Sequence, residues 1–172
     1  IYFLSNLAQE LVLCVRTHSA VSESKVFQNP VEKISTAIRE RYWDGLTRKI
    51  DKTTLTKVVV DPKVQQQKHF LYLPENDEEA FRYYEKAGIK EVRIKKLPKV
   101  LKAGFIRDLG KQQGLLSLAL KREQGVPYVV PGGRFNEMYG WDSYFHVLGT
   151  LSDGRVDLAE GMVENFIYEI EH

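Results

Sequence analysis

Residues 131–145 read P-G-G-R-F-N-E-M-Y-G-W-D-S-Y-F, which places a pair of adjacent glycines, an arginine, two carboxylates and five aromatic rings at the start of a helical pattern. Aromatic rings cover the apolar C–H faces of a pyranose, and its hydroxyls suit bidentate carboxylate acceptors and forked arginine donors. Gly132 and Gly133 allow backbone to approach a ligand closely. Because no Lys-Ser or Lys-Thr follows them, the stretch does not match a phosphate loop. The composition therefore indicates a pocket for a polar ligand.

Two features of the same stretch also fit a purely structural role. Aromatic residues at helical spacing are typical of a core, so Tyr144, Phe145 and Leu148 are predicted to be buried. Arg134 and Glu137 could instead form an ion pair with each other, and composition does not distinguish that pairing from ligand binding.

The residues that follow predict two consecutive helices. One apolar stripe runs from Trp141 to Leu151 and a second from Val156 to Ile170, with Asp153-Gly154 as the turn between them. Two helices joined by a short loop form an αα-hairpin, whose apolar faces need further helices to cover them. The extended run 126–130 leads into this hairpin.

Farther upstream, the sequence predicts a mixture of helices and short strands. Apolar spacing predicts a helix over residues 2–16, and Asn29-Pro30 predicts a helix start, with the helix reaching Trp43 or even Ile50. Residues 52–68 lack a period and contain a proline, so they are predicted to form a loop. Strands are predicted over residues 69–74 and 91–94. The remaining signals are a helix cap at Asn76 or Asp77, a helix end at Gly88 and a helix start at Pro98.

Composition bounds the class of protein. The 172 residues carry 25 Lys and Arg against 23 Asp and Glu, a formal charge of +2, unlike the strongly basic surface of proteins that bind nucleic acid or anionic membranes. Cys14 alone cannot form an internal disulfide, which fits a reducing compartment. No export signal and no apolar run of roughly 18 residues occur, so we expect a soluble cytoplasmic protein without membrane contact. The start at Ile1 rather than Met suggests a partial chain.

The string P-G-G-R-F-x-E-x-Y-x-W-D-S-Y is similar to the first signature of trehalases, the inverting glycosidases that split α,α-trehalose into two glucose molecules. Residues 114–120 upstream and 153–159 downstream also resemble neutral trehalases. Residues 41–48 and 71–74 resemble the opening region of the fungal subgroup. The resemblance covers about residues 29–172.

The resemblance implies a mainly α fold, an α/α toroid of six helical hairpins, of which this chain supplies an incomplete N-terminal part. Residues 1–28 would form a helix and connector, residues 29–125 a region of short strands and helices, and residues 126–172 the signature loop and first barrel hairpin. By motif position, Arg134, Trp141 and Asp142 correspond to residues that contact trehalose or glucose, and Phe135 is a further wall of the pocket.

The resemblance also implies what the chain lacks. An inverting glycosidase needs an acid and a base spaced roughly 6.5–9.5 Å apart, and in the family both lie downstream of this signature. Glu137 and Asp142 are therefore not assigned as catalytic, and no cofactor or metal is expected in this chain. Calcium and regulatory protein partners are expected only through a region preceding residue 1. The alternative is a non-catalytic protein, either a truncated pseudoenzyme or a module that binds sugar or a protein partner.

Overall fold

The computed structural model describes residues 2–60, 69–109, 112 and 114–172, and the described chain is mainly helical. It divides into two compact units, Ile1–Gly45 and Leu46–His172. Among the described helices, none is both long and apolar enough to cross a lipid bilayer.

The first unit is helical throughout. Its elements are α1 (Tyr2–Thr17), α2 (Glu23–Phe27), α3 (Pro30–Ala37), a π-helical turn (Ile38–Tyr42) and the start of α4 (Trp43–Leu46). The Asn29 side chain accepts a hydrogen bond from the Glu32 backbone N–H at 2.9 Å, which confirms the predicted helix start. Asn6 is buried in α1 and donates to the backbone carbonyls of Val26 and Gln28. The contact between α1 and α2 is therefore fixed by hydrogen bonds.

The second unit combines short strands with helices. Its strands are β1 (Thr47–Arg48), β2 (His69–Pro74), β3 (Val92–Leu97), β4 (Leu115–Leu116), β5 (Leu120–Lys121), β6 (Gln124–Gly125) and β7 (Tyr128–Val129). Its helices are α5 (Leu55–Val58), α6 (Glu78–Ala87), α7 (Ala103–Leu109), α8 (Gly140–Ser152) and α9 (Val156–Glu171). β2 lies between β3 and β4 in a parallel sheet, β1 pairs antiparallel with β7, and β5 pairs antiparallel with β6.

Local capping signals located the helix between β2 and β3. The Asp77 side chain accepts from the Ala80 backbone N–H at 2.9 Å, and Gly88 ends α6 in the left-handed conformation at φ 61°. The prediction at Pro98 was wrong, because α7 begins only at Ala103. Within the predicted loop 52–68, residues Leu55–Val58 form α5, and positions 61–68 lie outside the described residues.

The β5–β6 hairpin was not predicted from the sequence, because its turn lacks the Asn or Gly that usually marks such a turn. Arg122 and Glu123 have φ values of 53° and 62°, the conformation that type I′ turns normally fill with Asn-Gly. The Tyr83 hydroxyl donates to the Glu123 backbone carbonyl at 2.9 Å, and the Lys52 ammonium lies 3.2 Å from the Glu123 carboxylate. Tertiary contacts thus hold a turn that the local sequence does not favour.

The αα-hairpin α8–α9 packs on the extended run 126–130, but through a different face from the one expected. Tyr144, Phe145 and Leu148 are 61%, 53% and 50% exposed, so the prediction that they are core residues was wrong. On α8 the fully buried residues are Ser143 and Thr150, which lie two turns apart on one face. Helical spacing identifies an apolar face, whereas the elements packed against the helix decide which face is buried.

Candidate functional site

The signature loop, residues 131–139, follows strand β7, which is paired with β1. β1 and β7 pair with Thr47 opposite Val129 and Arg48 opposite Tyr128, and the Val130 backbone N–H donates to the Leu46 carbonyl at 3.0 Å. Tyr128, Val129 and Val130 are fully buried. The backbone entering Pro131 is therefore held by both hydrogen bonds and the core.

The loop contains one tight turn and one hydrogen bond to a residue distant in sequence. The Phe135 backbone N–H donates to the Gly132 carbonyl at 2.9 Å, which closes the turn that carries Arg134. The Asn136 side-chain amide donates to the Val60 carbonyl at 3.2 Å. Such contacts fix the backbone around Arg134 while its side chain stays exposed.

Arg134 stacks on the neighbouring aromatic ring. Its guanidinium carbon lies 4.8 Å from the Phe135 ring centroid, and Phe135 makes an edge-to-face contact with Tyr139 at 5.7 Å. The Tyr139 hydroxyl donates to the Glu137 carboxylate at 2.9 Å. Among the described residues, Arg134 and Glu137 form no ion pair with each other, because Glu137 accepts from Tyr139 and Arg134 lies over the Phe135 ring.

Trp141 and Asp142 lie in the first turn of α8. The Trp141 side chain is 80% exposed, and its ring contacts Phe145 edge-to-face at 5.6 Å. Asp142 is half-buried near the helix N-terminus, where the helix dipole favours a negative charge. An apolar ring face and a hydrogen-bond acceptor are thus presented side by side.

The charges of Arg134 and Asp142 both act on Tyr139. Burial raises the pKa of Tyr139, and the hydrogen bond and charge of Glu137 raise it further. The charge of Arg134 acts in the opposite direction, and that of Asp142 in the same direction, so this tyrosine lies close to both groups. Tyr139 thus contacts Phe135 and lies near the charges of Arg134 and Asp142, whereas Trp141 contacts Phe145.

His146 is a residue of this region that sequence reasoning missed. It follows Asp142 by four residues and so lies on the same face of α8, which was the signal that could have identified it. Burial lowers its pKa, while the charge of Asp142 and a hydrogen bond with the Val129 backbone oppose that shift. Ser143, beside Asp142, is fully buried, and its hydroxyl has no hydrogen-bond partner within the described chain.

One cleft of the described chain lies outside this loop. Within the described ranges, no group of three His, Cys, Asp or Glu side chains is placed to hold a metal ion. A cleft of about 700 Å³ lies between α6, the β5–β6 turn and the end of α9. Its described walls include Arg82, Tyr83, Arg122 and Tyr168 and carry no signature residue.

Comparison with known proteins identifies the family. The model of the trehalase family matches residues 16–172. The chain belongs to the trehalase family. It is 40% identical to the cytosolic neutral trehalase of Beauveria bassiana over 99% of this chain and 26% of that protein. It is 37% identical to the cytosolic neutral trehalase of Kluyveromyces lactis and 36% identical to a probable trehalase of Saccharomyces cerevisiae, each over 99% of this chain. The resemblance to trehalases is thereby confirmed.

The chain corresponds to only part of each of its relatives. It spans about a quarter of the length of the curated relatives that it matches, since the matched shares of those proteins are 26%, 25% and 24%. Family membership therefore applies to these residues, and the assignment of substrate-binding roles to Arg134, Phe135, Trp141 and Asp142 stays a prediction.

Proposed function

We propose that this chain is the part of an α,α-trehalase that carries the first substrate-binding signature, and that the whole protein hydrolyses trehalose to two glucose molecules with inversion. The observation that carries the proposal is the signature at residues 131–145 inside a chain matched by the trehalase family model. The names of the relatives support a location in the cytosol.

The proposed roles follow from the chemistry and exposure of the four residues. The stacked, exposed Arg134 guanidinium would donate forked hydrogen bonds to sugar hydroxyls, and the half-buried Asp142 carboxylate would accept from them. The exposed Trp141 ring would cover a C–H face of glucose, and Phe135 would form a side wall. These roles need only a fixed backbone and open side chains.

We assign the catalytic acid and base to residues outside this chain. The Glu137 side chain is exposed and accepts a hydrogen bond from the neighbouring Tyr139 hydroxyl at 2.9 Å, so its contacts are those of a local surface pair. Asp142 is needed for binding in this scheme. Calcium and regulatory partners, if the whole protein uses them, are likewise assigned to other segments.

We further propose that α8 and α9 form the first hairpin of an α/α toroid. The support is the apolar outer face of this hairpin, which is exposed in the described chain and matches the surface that a neighbouring hairpin would cover. The face consists of Tyr144, Phe145, Leu148, Leu151, Val163, Ile167 and Ile170.

The experiment compares two exposed aromatic residues on one helix. In the protein that carries this sequence, Trp141→Ala should lower kcat/KM for trehalose at least roughly tenfold, because a buried stacking contact with the sugar is lost. Tyr144→Ala is the comparison, since Tyr144 has no proposed sugar contact and belongs to the hairpin face; it should lower the melting temperature while leaving kcat/KM of the folded protein within about twofold. Glucose release is the measurement, and equal effects of the two substitutions would contradict the proposed site.

The isolated chain provides a second test. Titration calorimetry of the chain with trehalose should give no measurable heat, and incubation with trehalose should release no glucose, because most pocket walls are assigned to other segments. Glucose release above a heat-killed control would place the acid and base within these residues after all.

A further inference from the structure

Two side chains from opposite strands reach the signature loop at nearly the same place. Arg48 of β1 and Tyr128 of β7 are register partners in an antiparallel pair, so their side chains project to the same face. An Arg48 Nη donates to the Gly133 carbonyl at 3.3 Å, and the Tyr128 hydroxyl donates to the Asn136 carbonyl at 2.5 Å. These two carbonyls lie on either side of Arg134 and Phe135.

We propose that Arg48 and Tyr128 are a pair of positioning residues that fix the backbone carrying Arg134 and Phe135 and thereby set the affinity of the site for sugar. The inference rests on the proposed sugar-binding role of that loop. Neither residue is expected to touch the substrate. Their effect is transmitted through the carbonyls of Gly133 and Asn136.

The guanidinium of Arg48 is suited to this position by its shape. One Nη donates to the Thr47 carbonyl at 3.0 Å while the other donates to Gly133, so a single planar group joins strand β1 to the loop. A lysine ammonium is a point charge on a flexible stem and cannot reproduce this fixed fork. The link spans 85 residues of sequence.

Tyr128 supplies the second anchor from within the core. Its side chain is fully buried, and burial raises its pKa although the nearby charge of Arg48 lowers it. The hydroxyl is therefore protonated at neutral pH and remains a donor to Asn136. Without these two anchors, the described hydrogen bonds that hold this part of the loop are the Phe135–Gly132 turn and the contact of the Asn136 side chain with the Val60 carbonyl.

The chain offers a closely matched pair of tyrosines for the test. Tyr84 and Tyr128 are both fully buried, and the Tyr84 hydroxyl donates to the Ile50 carbonyl at 2.7 Å, away from the signature loop. Tyr84→Phe and Tyr128→Phe should lower overall stability to a similar extent. Only Tyr128→Phe should speed hydrogen exchange of the Phe135 amide and raise KM for trehalose.

Arg48 is tested in the same protein by graded substitution. Arg48→Gln should raise KM roughly tenfold with a much smaller change in kcat, the size expected when one hydrogen bond from a charged donor is lost and ground-state and transition-state binding weaken together. Arg48→Lys should give an intermediate KM. Arg82→Gln, on the exposed surface of α6, is the control for removing an arginine and should leave KM unchanged.

The outcomes separate this inference from the proposed function. If the unsubstituted protein does not cleave trehalose, the proposed function fails, and exchange at Phe135 still decides whether the two anchors hold the loop. If it cleaves trehalose and Tyr128→Phe matches Tyr84→Phe in both exchange and KM, the positioning role is overturned. An unchanged KM in Arg48→Gln overturns it for Arg48.

Discussion

Both faces of helix α9 carry apolar residues, yet within the described chain only one of them is packed. On α9 the inner face buries Leu158, Ala159 and Met162, whereas Val163, Ile167 and Ile170 on the outer face are exposed. Hydrophobicity alone therefore did not decide which face of α9 is buried. The selection came from the extended run 126–130, which packs closely against α9 at Gly161 and whose Val126 and Pro127 carbonyls accept from Asn165.

Two residues of the inner face are matched to the backbone packed against them. A Cβ at Gly161 would lie 2.4 Å from the Pro127 carbonyl oxygen, so a glycine is required for the helix to approach. Asn165 is fully buried, accepts from the Ala119 backbone N–H at 3.1 Å and donates toward the Val126 and Pro127 carbonyls. The outer face carries no comparable constraint within the described chain.

The largest expected effect on stability comes from truncating an apolar side chain on the inner face of α9, with the same change on its outer face as the comparison. Leu158→Ala should lower the free energy of unfolding by about 3 kcal/mol, because the substitution leaves a cavity in a packed core. Ile170→Ala, on the exposed face of the same helix, should change it by less than about 0.5 kcal/mol. Urea unfolding of both variants measures the contrast, and similar losses would mean that the two faces are equally packed in solution.

A smaller effect is expected from the polar contact of the inner face. Asn165→Ala should cost about 2 kcal/mol, since the buried backbone groups that it pairs with would lose their partner. Asn136→Ala is the comparison, because Asn136 bonds a backbone carbonyl from the partly exposed loop. Thermal unfolding of the two variants should therefore rank Asn165→Ala as the less stable, and the reverse order would contradict the importance assigned to the inner face.

The smallest effect is a pH dependence of stability at Asp51, a buried carboxylate that accepts from the Gly125 backbone N–H. Burial would raise the pKa of Asp51, but hydrogen bonds from Thr53, the Gly125 backbone and Thr54 outweigh it, so the pKa lies below its ordinary value of 3.8. The unfolded chain then binds more protons than the folded chain, and stability rises with pH through this range. The contribution is complete above about pH 4 and is lost as the pH falls through the folded pKa.

Substitution isolates that contribution. Asp51→Asn should flatten the decline in the free energy of unfolding between about pH 5 and pH 2. Asp157→Asn is the control on the surface, where Arg155 lowers the pKa of Asp157 but solvent screens the pair. An identical decline in the wild type and Asp51→Asn would show that other carboxylates determine the acid sensitivity.

The local parts of the fold were predictable because their causes are local. The cap at Asp77, the left-handed Gly88 and the turn at Asp153-Gly154 each depend on a few adjacent residues. Strand β2 at His69–Pro74 was likewise located from its apolar run. The β5–β6 turn was not predictable, because Tyr83 and Lys52, far away in sequence, hold Arg122 and Glu123 in an unfavoured conformation.

By itself, the sequence determined the family, the candidate residues Arg134, Phe135, Trp141 and Asp142, and the presence of the helical hairpin, because these follow from residue types and short spacings. Tertiary structure alone decided the parallel order of β3, β2 and β4, the face that the hairpin buries, and the approach of Arg48 and Tyr128 to the signature loop. The physical reason is distance along the chain. Such contacts join segments up to 85 residues apart, and no local pattern specifies which backbone group a side chain will meet.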